Sequence, residues 1–121
     1  MKIRAAIVVI KDWRERVFLR AELIEEGIRT FAVENIDEAK EWLDDSRVLP
    51  LIVIYDTQFQ DNTSRDIEYL REYSRAPILI LTSSAEKKTH EIGDRGFKYI
   101  IPRPATIGDV AGRVKEILKG I

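Results

Sequence analysis

The chain is 121 residues long, which suits one domain over residues 1–121 and is too short for two domains that each bury a core. Hydrophobic residues make up 45% of the sequence and charged residues 34%, which excludes a disordered tail. The 20 Lys and Arg residues against 21 Asp and Glu give a formal net charge of -1, which excludes a general attraction for nucleic acid or an anionic membrane.

Five short apolar runs have the length of β-strands. In chain order they are residues 5–10, 31–33, 51–55, 78–81 and 99–101. The first, third and fourth runs are continuously apolar and rich in β-branched residues, as strands buried on both faces of a parallel sheet are. The runs therefore predict a five-stranded parallel sheet.

The segment after the first run has helical spacing. Its apolar stripe recurs every three to four residues and consists of Trp13, Val17, Ala21 and Ile24. Gly27 follows as a stop, because glycine tolerates the left-handed backbone that often ends a helix. We expect a first helix that turns this stripe towards the core.

Three further helices and a weaker one are predicted. Asn35 suits the N-cap of a second helix, with Glu38 three residues later as in a capping box. A third helix is centred on Ile67, and Thr106 opens the last one. The segment 85–95 has Ile92 as its only large apolar residue and Gly93 near its end, so we expect a short or frayed helix there.

Strand and helix alternate five times, which predicts a doubly wound (βα)5 sheet of the α/β class with helices on both faces. In such sheets ligands bind beyond the carboxyl ends of the strands. The residues at those ends are Lys11, Asp12, Asp56, Thr82 and Arg103. Asp56 is notable, because a carboxylate directly after four apolar residues and a tyrosine is costly to bury without partners.

The whole chain resembles the receiver domain of two-component response regulators. Residues 51–56, Leu-Ile-Val-Ile-Tyr-Asp, are like the strand that ends in the phosphorylated aspartate of that family. Residues 76–82, which end in Thr82, are like the strand that ends in its switch hydroxyl. Arg103 and Pro104 stand where the family has Lys-Pro. The resemblance implies the flavodoxin-like strand order 2-1-3-4-5.

The resemblance also implies roles for individual residues. Asp56 would be the phosphoacceptor that attacks a phosphohistidine or a small phosphodonor. Thr82 would bond the phosphoryl oxygen, and Arg103 would take the phosphate-pairing role of the family's lysine. A magnesium ion would lie between Asp56, the backbone carbonyl of Gln58 and acids after the first strand, of which Asp12 is the nearest.

The sequence departs from the family at that acidic pair. Counted back from Gly27, the pair falls on Ile10 and Lys11, neither of which can ligate magnesium. We therefore expect a weak or absent magnesium site at Asp12, Asp56 and Gln58. Two interpretations of Lys11 stay open: its ammonium replaces the charge of the metal beside Asp56, or it is a surface lysine.

These departures favour a receiver-like domain that signals mainly by protein contact, an atypical or pseudo-receiver. One alternative is a working receiver that accepts a phosphoryl group autocatalytically on Asp56 with a weakened magnesium site. Another is a small-anion-binding domain on the same fold, with the anion near Arg103. Beyond autocatalytic phosphoryl acceptance, no enzyme activity is expected.

Location and partners follow from what the sequence lacks and from the resemblance. Cysteine is absent and histidine occurs once, which excludes disulfides and thiolate sites and argues against zinc. The first ten residues hold neither a secretory signal nor a membrane span. We expect a cytoplasmic protein whose partner is a sensor histidine kinase, another signalling protein or a second copy of the chain, with no direct nucleic-acid or membrane partner.

Overall fold

The computed structural model describes residues 2–83 and 91–120, in which strands and helices alternate. In chain order the elements are β1 (Ile3–Val9), α1 (Trp13–Glu25), β2 (Thr30–Val33), α2 (Ile36–Leu43), β3 (Val48–Asp56), α3 (Thr63–Glu72), β4 (Ile78–Thr82), β5 (Tyr99–Pro102) and α4 (Ile107–Lys119). Residues 91–94, between β4 and β5, are also helical. Most of the short helix predicted at 85–95 lies outside the described residues.

The five strands form one parallel sheet in the order β2-β1-β3-β4-β5. This confirms the predicted doubly wound α/β class and its strand order. The register pairs Asp56 with Leu81 and Thr82 with Pro102. The carboxyl ends of β3, β4 and β5 therefore meet at one edge of the sheet, where the sequence predicted the site.

Each face of the sheet is covered by helices. One core cluster joins the sheet to α1 and α4 through Leu19, Leu23, Val110 and Val114. The other joins the opposite face to α2 and α3 through Ala39, Leu43, Ile67 and Leu70. Because the central strands are covered on both sides, residues 6–9 of β1 and 52–55 of β3 are all buried and point alternately into the two clusters.

The predicted helix starts of α2 and α4 are confirmed. The Asn35 side chain accepts a hydrogen bond from the backbone N–H of Glu38 at 2.9 Å, and the Glu38 carboxylate accepts from the backbone N–H of Glu34. Thr106 and Asp109 form a reciprocal capping box at α4. These bonds satisfy backbone donors that a helix N-terminus leaves unpaired. No helix in the described part of the chain is long and apolar enough to cross a membrane.

The inward-facing stripe predicted for α1 is wrong. Trp13 is 62% exposed and Ile24 is 43% exposed, whereas Leu19 and Leu23 are fully buried against the sheet. Val17 and Ala21 are exposed as well. Helix α1 carries apolar residues on two sides, and both sets satisfy helical spacing. Spacing alone could not decide which set packs.

A buried hydrogen bond ties the end of β3 to α3. The hydroxyl of Tyr55 donates to Oδ2 of Asp66 at 2.6 Å, and both residues are buried. Burial raises the pKa of the Tyr55 phenol, and the neighbouring Asp66 carboxylate raises it further, so the phenol stays a donor. Arg65 contacts the other Asp66 oxygen at a longer distance of 3.4 Å.

We expect Tyr55→Phe to lower the free energy of unfolding by about 1–3 kcal/mol, because Asp66 stays buried but loses its closest donor. Urea denaturation at neutral pH measures this change. Tyr69→Phe on the half-buried side of α3 is the matched control, with an expected change below about 0.5 kcal/mol. Equal losses in the two variants would mean that the buried Tyr55 hydroxyl contributes no more than the half-buried Tyr69 hydroxyl.

Candidate functional site

Asp56 is the last residue of β3 and lies at the centre of the candidate site. Its side chain is fully buried, although it carries a titratable carboxyl group. The backbone N–H of Gln58 donates to its Oδ1 at 3.0 Å, which is the turn that ends the strand. This bond leaves Oδ2 to be satisfied by a residue from elsewhere in the chain.

Arg103 supplies that partner. Its Nη2 lies 2.6 Å from Oδ2 of Asp56, and its Nη1 donates to Oε1 of Glu15 at 2.8 Å. A further hydrogen bond joins Nη2 to Oε2 of Glu15. The backbone N–H of Arg103 donates to the carbonyl of Thr82 at 3.1 Å, which holds the arginine at the end of β4. One guanidinium thus bridges β3 and α1.

We call Asp56, Arg103 and Glu15 the arginine bridge. Arg103 has five donors in a fixed planar fork, so it can serve two carboxylates at once where an ammonium could not do so in the same geometry. Its side chain is 16% exposed and that of Glu15 is 34% exposed, so solvent reaches the outer end of the bridge only. The inner end, at Asp56, has no solvent-exposed surface.

Burial is the largest single influence on the pKa values of Asp56 and Arg103. It raises the pKa of Asp56 above its ordinary value, because the Gln58 N–H and the Arg103 guanidinium offset only part of the cost of desolvating a carboxylate. Burial alone would lower the pKa of Arg103, but the hydrogen bonds to Glu15 and Asp56 outweigh it and raise that pKa. The guanidinium is therefore a permanent cation.

Glu15 was not predicted from the sequence. It lies in the first turn of α1 and reaches a partner 88 positions away in the chain. A signal for it exists, because Glu15, Leu19 and Leu23 are spaced by four residues and share one helix face. Once Leu19 and Leu23 are known to be buried, an acid one turn before them is directed towards the same edge of the sheet.

Two other predicted residues, Lys11 and Asp12, lie between β1 and α1. Asp12 is the N-cap of α1, and its Oδ1 accepts from the backbone N–H groups of Arg14 and Glu15 at 3.0 and 3.3 Å. Lys11 is partly exposed, and its side chain makes no ion pair with the residues that the structure describes. The cation beside Asp56 in the structure is the guanidinium of Arg103.

The remaining predicted residues lie at the same edge of the sheet. Thr82 is fully buried at the end of β4, and Gln58, two residues after the end of β3, is partly exposed. The backbone N–H of Gln58 donates to Oδ1 of Asp56. The structure thus brings Asp56, Thr82, Gln58 and Arg103 together and adds Glu15.

The donor set does not fit a magnesium ion. Magnesium takes an octahedron of oxygen atoms, with one or two carboxylates directed at it. Here Oδ2 of Asp56 is paired with a guanidinium, and Oδ1 of Asp12 accepts hydrogen bonds from two backbone N–H groups in the first turn of α1. Ile10 is buried in the core. Residues 2–83 and 91–120 hold no group of three or more potential ligands placed to bind a metal ion.

An open cleft of about 500 Å³ lies outside the bridge. It is lined by Glu15, Gln58, Ser83, Arg103, Pro104 and Ala105. Arg103 forms part of its wall, and Asp56 lies behind the guanidinium with no exposed surface. A molecule entering this cleft would therefore meet Arg103 and Glu15 before it could reach Asp56.

Solved structures of receiver domains are similar to this chain over nearly its whole length. A response regulator receiver protein from Burkholderia phymatum matches with a TM-score of 0.79 and 19% identity, covering 98% of this chain and 96% of that one. A response regulator from Thermotoga maritima matches with a TM-score of 0.77 and 18% identity, covering 98% and 99%.

A third similar structure is the signal receiver domain of a signal transduction histidine kinase from Syntrophus aciditrophicus. It matches with a TM-score of 0.76 and 22% identity, covering 97% of this chain and 91% of that one. No protein-family model matches the chain, and the comparison with curated proteins finds no similar sequence. The chain has the receiver fold, which confirms at the level of fold the resemblance seen in the sequence.

Proposed function

We propose that this chain is a pseudo-receiver, a signalling domain that acts by contact with another protein and is not switched by phosphorylation of Asp56. The observation that carries the proposal is the arginine bridge, in which a cation of the chain itself lies 2.6 Å from the carboxylate. The partner is a signalling protein of a two-component pathway, such as a sensor histidine kinase, in the cytoplasm.

Electrostatics supports this proposal. Transfer of a phosphoryl group to a carboxylate brings two anions together, so it depends on cations that are free to engage the phosphoryl oxygens. The guanidinium of Arg103 already has two carboxylates as partners, and Glu15 adds a negative charge at the mouth of the site. Both features oppose the approach of an anionic phosphodonor.

Geometry supports it as well. Asp56 has no exposed surface, so its Oδ2 could attack a phosphorus atom only after Arg103 had moved away. Such a movement would leave a buried carboxylate without its cation, at a cost of several kcal/mol. Because Asp56 is paired with a cation of the chain itself, we expect the site to keep one arrangement and to offer a constant surface to a partner.

The test is intact mass after incubation with acetyl phosphate, with and without magnesium, on the wild type and on Asp56→Asn. We expect no phosphoryl group on either protein under any condition. Glu15→Gln is a matched variant that keeps the pair of Asp56 and Arg103 but removes the outer negative charge, and we expect no incorporation there either.

One added phosphoryl group on the wild type, absent in Asp56→Asn, would overturn the proposal. If the addition required magnesium, the alternative of a working phosphoacceptor would replace it. Melting temperature measured with inorganic phosphate in the absence of magnesium separates the anion-binding alternative, because a ligand of the folded state raises the melting temperature with concentration. We expect no such rise.

A further inference from the structure

The solvent-facing side of α1 carries an unusual amount of apolar surface. Among the described residues five large hydrophobic side chains are exposed, and four of them lie on this helix: Trp13, Val17, Phe18 and Ile24. Trp13 and Phe18 are each more than 60% exposed. A soluble domain rarely clusters exposed side chains of this size unless another surface covers them.

These side chains form a stripe. At about 100° per residue, Trp13, Val17, Ala21 and Ile24 fall within an arc of about 80°. We call these four residues the α1 stripe, and Phe18 lies beside it. The helix has 13 residues and is about 20 Å long, so the stripe extends over nearly its whole length.

Opposite charges stand at the two ends of this surface. Arg14 lies at the amino end of α1 and Glu25 at the carboxyl end, eleven residues apart and about 20° apart around the axis. Both are exposed, and neither makes an ion pair with a residue that the structure describes. The guanidinium of Arg14 lies 5.6 Å from the ring centre of Trp13, so this charge belongs to the apolar surface.

We propose that the α1 stripe is the contact surface for a second copy of this chain, with the two α1 helices antiparallel across a two-fold axis. In that arrangement Val17 faces Ala21 of the second copy. Trp13 faces Ile24 of the second copy, and Arg14 reaches Glu25 of the second copy. Each contact occurs twice by symmetry.

The charge pattern is what favours a second copy over another occupant. A two-fold interface places each end of the helix against the opposite end of its partner, so it requires a surface that complements itself. Arg14 and Glu25 provide that complement on one flank of the stripe; on the other flank the exposed Arg20, whose Nε donates to the carbonyl of Thr30, would lie near its own copy. The inference does not depend on whether Asp56 is phosphorylated. A contact between two helices of this length is small, so we expect a dimer that dissociates on dilution.

The first experiment is sedimentation velocity of the purified chain over a range of concentrations from micromolar to millimolar. We expect a concentration-dependent dimer in the wild type and a rise of about tenfold or more in the dissociation constant of Val17→Asp. Phe59→Asp is the matched control, because Phe59 is 64% exposed and lies outside α1. It should leave the dimer unchanged.

The second experiment reverses the charges. Arg14→Glu alone places two acids at each end of the interface, and Glu25→Arg alone places two bases there, so each variant should dimerise more weakly than the wild type. A 1:1 mixture of the two variants restores both opposite-charge contacts and should associate more tightly than either alone. Both changes suit the helix dipole, so the helix should remain folded.

The outcomes are decisive. A wild type that stays monomeric at millimolar concentration overturns the proposal, as does a dimer that survives Val17→Asp with an unchanged dissociation constant. If the mixed variants associate no better than each variant alone, the antiparallel contact is wrong. Melting curves of all variants establish that a lost dimer is not lost folding.

Discussion

Arg103→Met is expected to lower the free energy of unfolding by about 3 kcal/mol. The change removes the only cation that contacts Asp56 among the described residues, and it leaves a fully buried carboxylate next to that of Glu15. Removing one partner of a buried ion pair typically costs about 3–5 kcal/mol, and the partial exposure of Arg103 places this case at the lower end. Urea denaturation followed by circular dichroism measures the loss.

Two controls separate the bridge from a general effect of losing an arginine. Arg113 pairs with Glu116 on the surface of α4, and Arg113→Met should cost at most about 1 kcal/mol. Adding Asp56→Asn to Arg103→Met removes the stranded charge and should regain part of the loss. If Arg103→Met is as mild as Arg113→Met, the bridge does not stabilise the site, and the case for a fixed pseudo-receiver weakens with it.

Arg103→Lys provides an intermediate case. A lysine ammonium is a compact charge on a flexible stem, and it lacks the planar fork that reaches Asp56 and Glu15 together. We expect it to keep the contact with one carboxylate and to lie between the wild type and Arg103→Met in stability. The difference between the two variants measures what the second arm of the guanidinium contributes.

Much of the fold could be predicted because its signals are local. A buried parallel strand reads as a continuous apolar run, and Asn35 and Thr106 mark helix starts with side-chain bonds that reach only three residues ahead. The strand order came from the resemblance as a whole. Alternation of strands and helices restricts the possible topologies but does not number the strands across the sheet.

The site was predictable only in part, because its contacts are long-range. Asp56 ends a buried strand and Arg103 directly follows β5, and parallel strands bring their carboxyl ends to one edge. Their direct contact, and the role of Glu15, depend on the distance between a helix turn and a loop 88 residues later. The sequence also offered Lys11 as a cation near Asp56, and only the geometry shows that the arginine takes that place.

The orientation of α1 was also not predictable from local sequence, because it depends on which face of the helix packs against the sheet. The set containing Trp13 and Ile24 and the set containing Leu19 and Leu23 both repeat at helical spacing. The second set packs against the sheet. Glu15 lies one turn before this set on the same face of the helix. The first set therefore faces solvent. This orientation explains why the sequence prediction for α1 was wrong, and it also creates the proposed contact surface.

Leu23→Ala should therefore lower the free energy of unfolding by about 3 kcal/mol, whereas Ile24→Ala should change it by less than about 1 kcal/mol. Leu23 is fully buried between α1 and the sheet, so its truncation removes apolar contacts and leaves a cavity. Ile24 is the next residue and loses a similar number of carbon atoms, but it is 43% exposed. Urea denaturation at low micromolar concentration, where the proposed dimer is dissociated, measures both.

Because the two residues are neighbours in one turn of one helix, a difference between the two variants reports the difference in burial between the two side chains. Similar losses would mean that both sides of α1 are covered in solution even at low concentration, either by this chain or by a tightly bound second copy. A larger loss of unfolding free energy for Ile24→Ala than for Leu23→Ala would mean that the first set packs in the core. It would also remove Glu15 from the face that meets Arg103, so the arginine bridge and the α1 stripe would fail together.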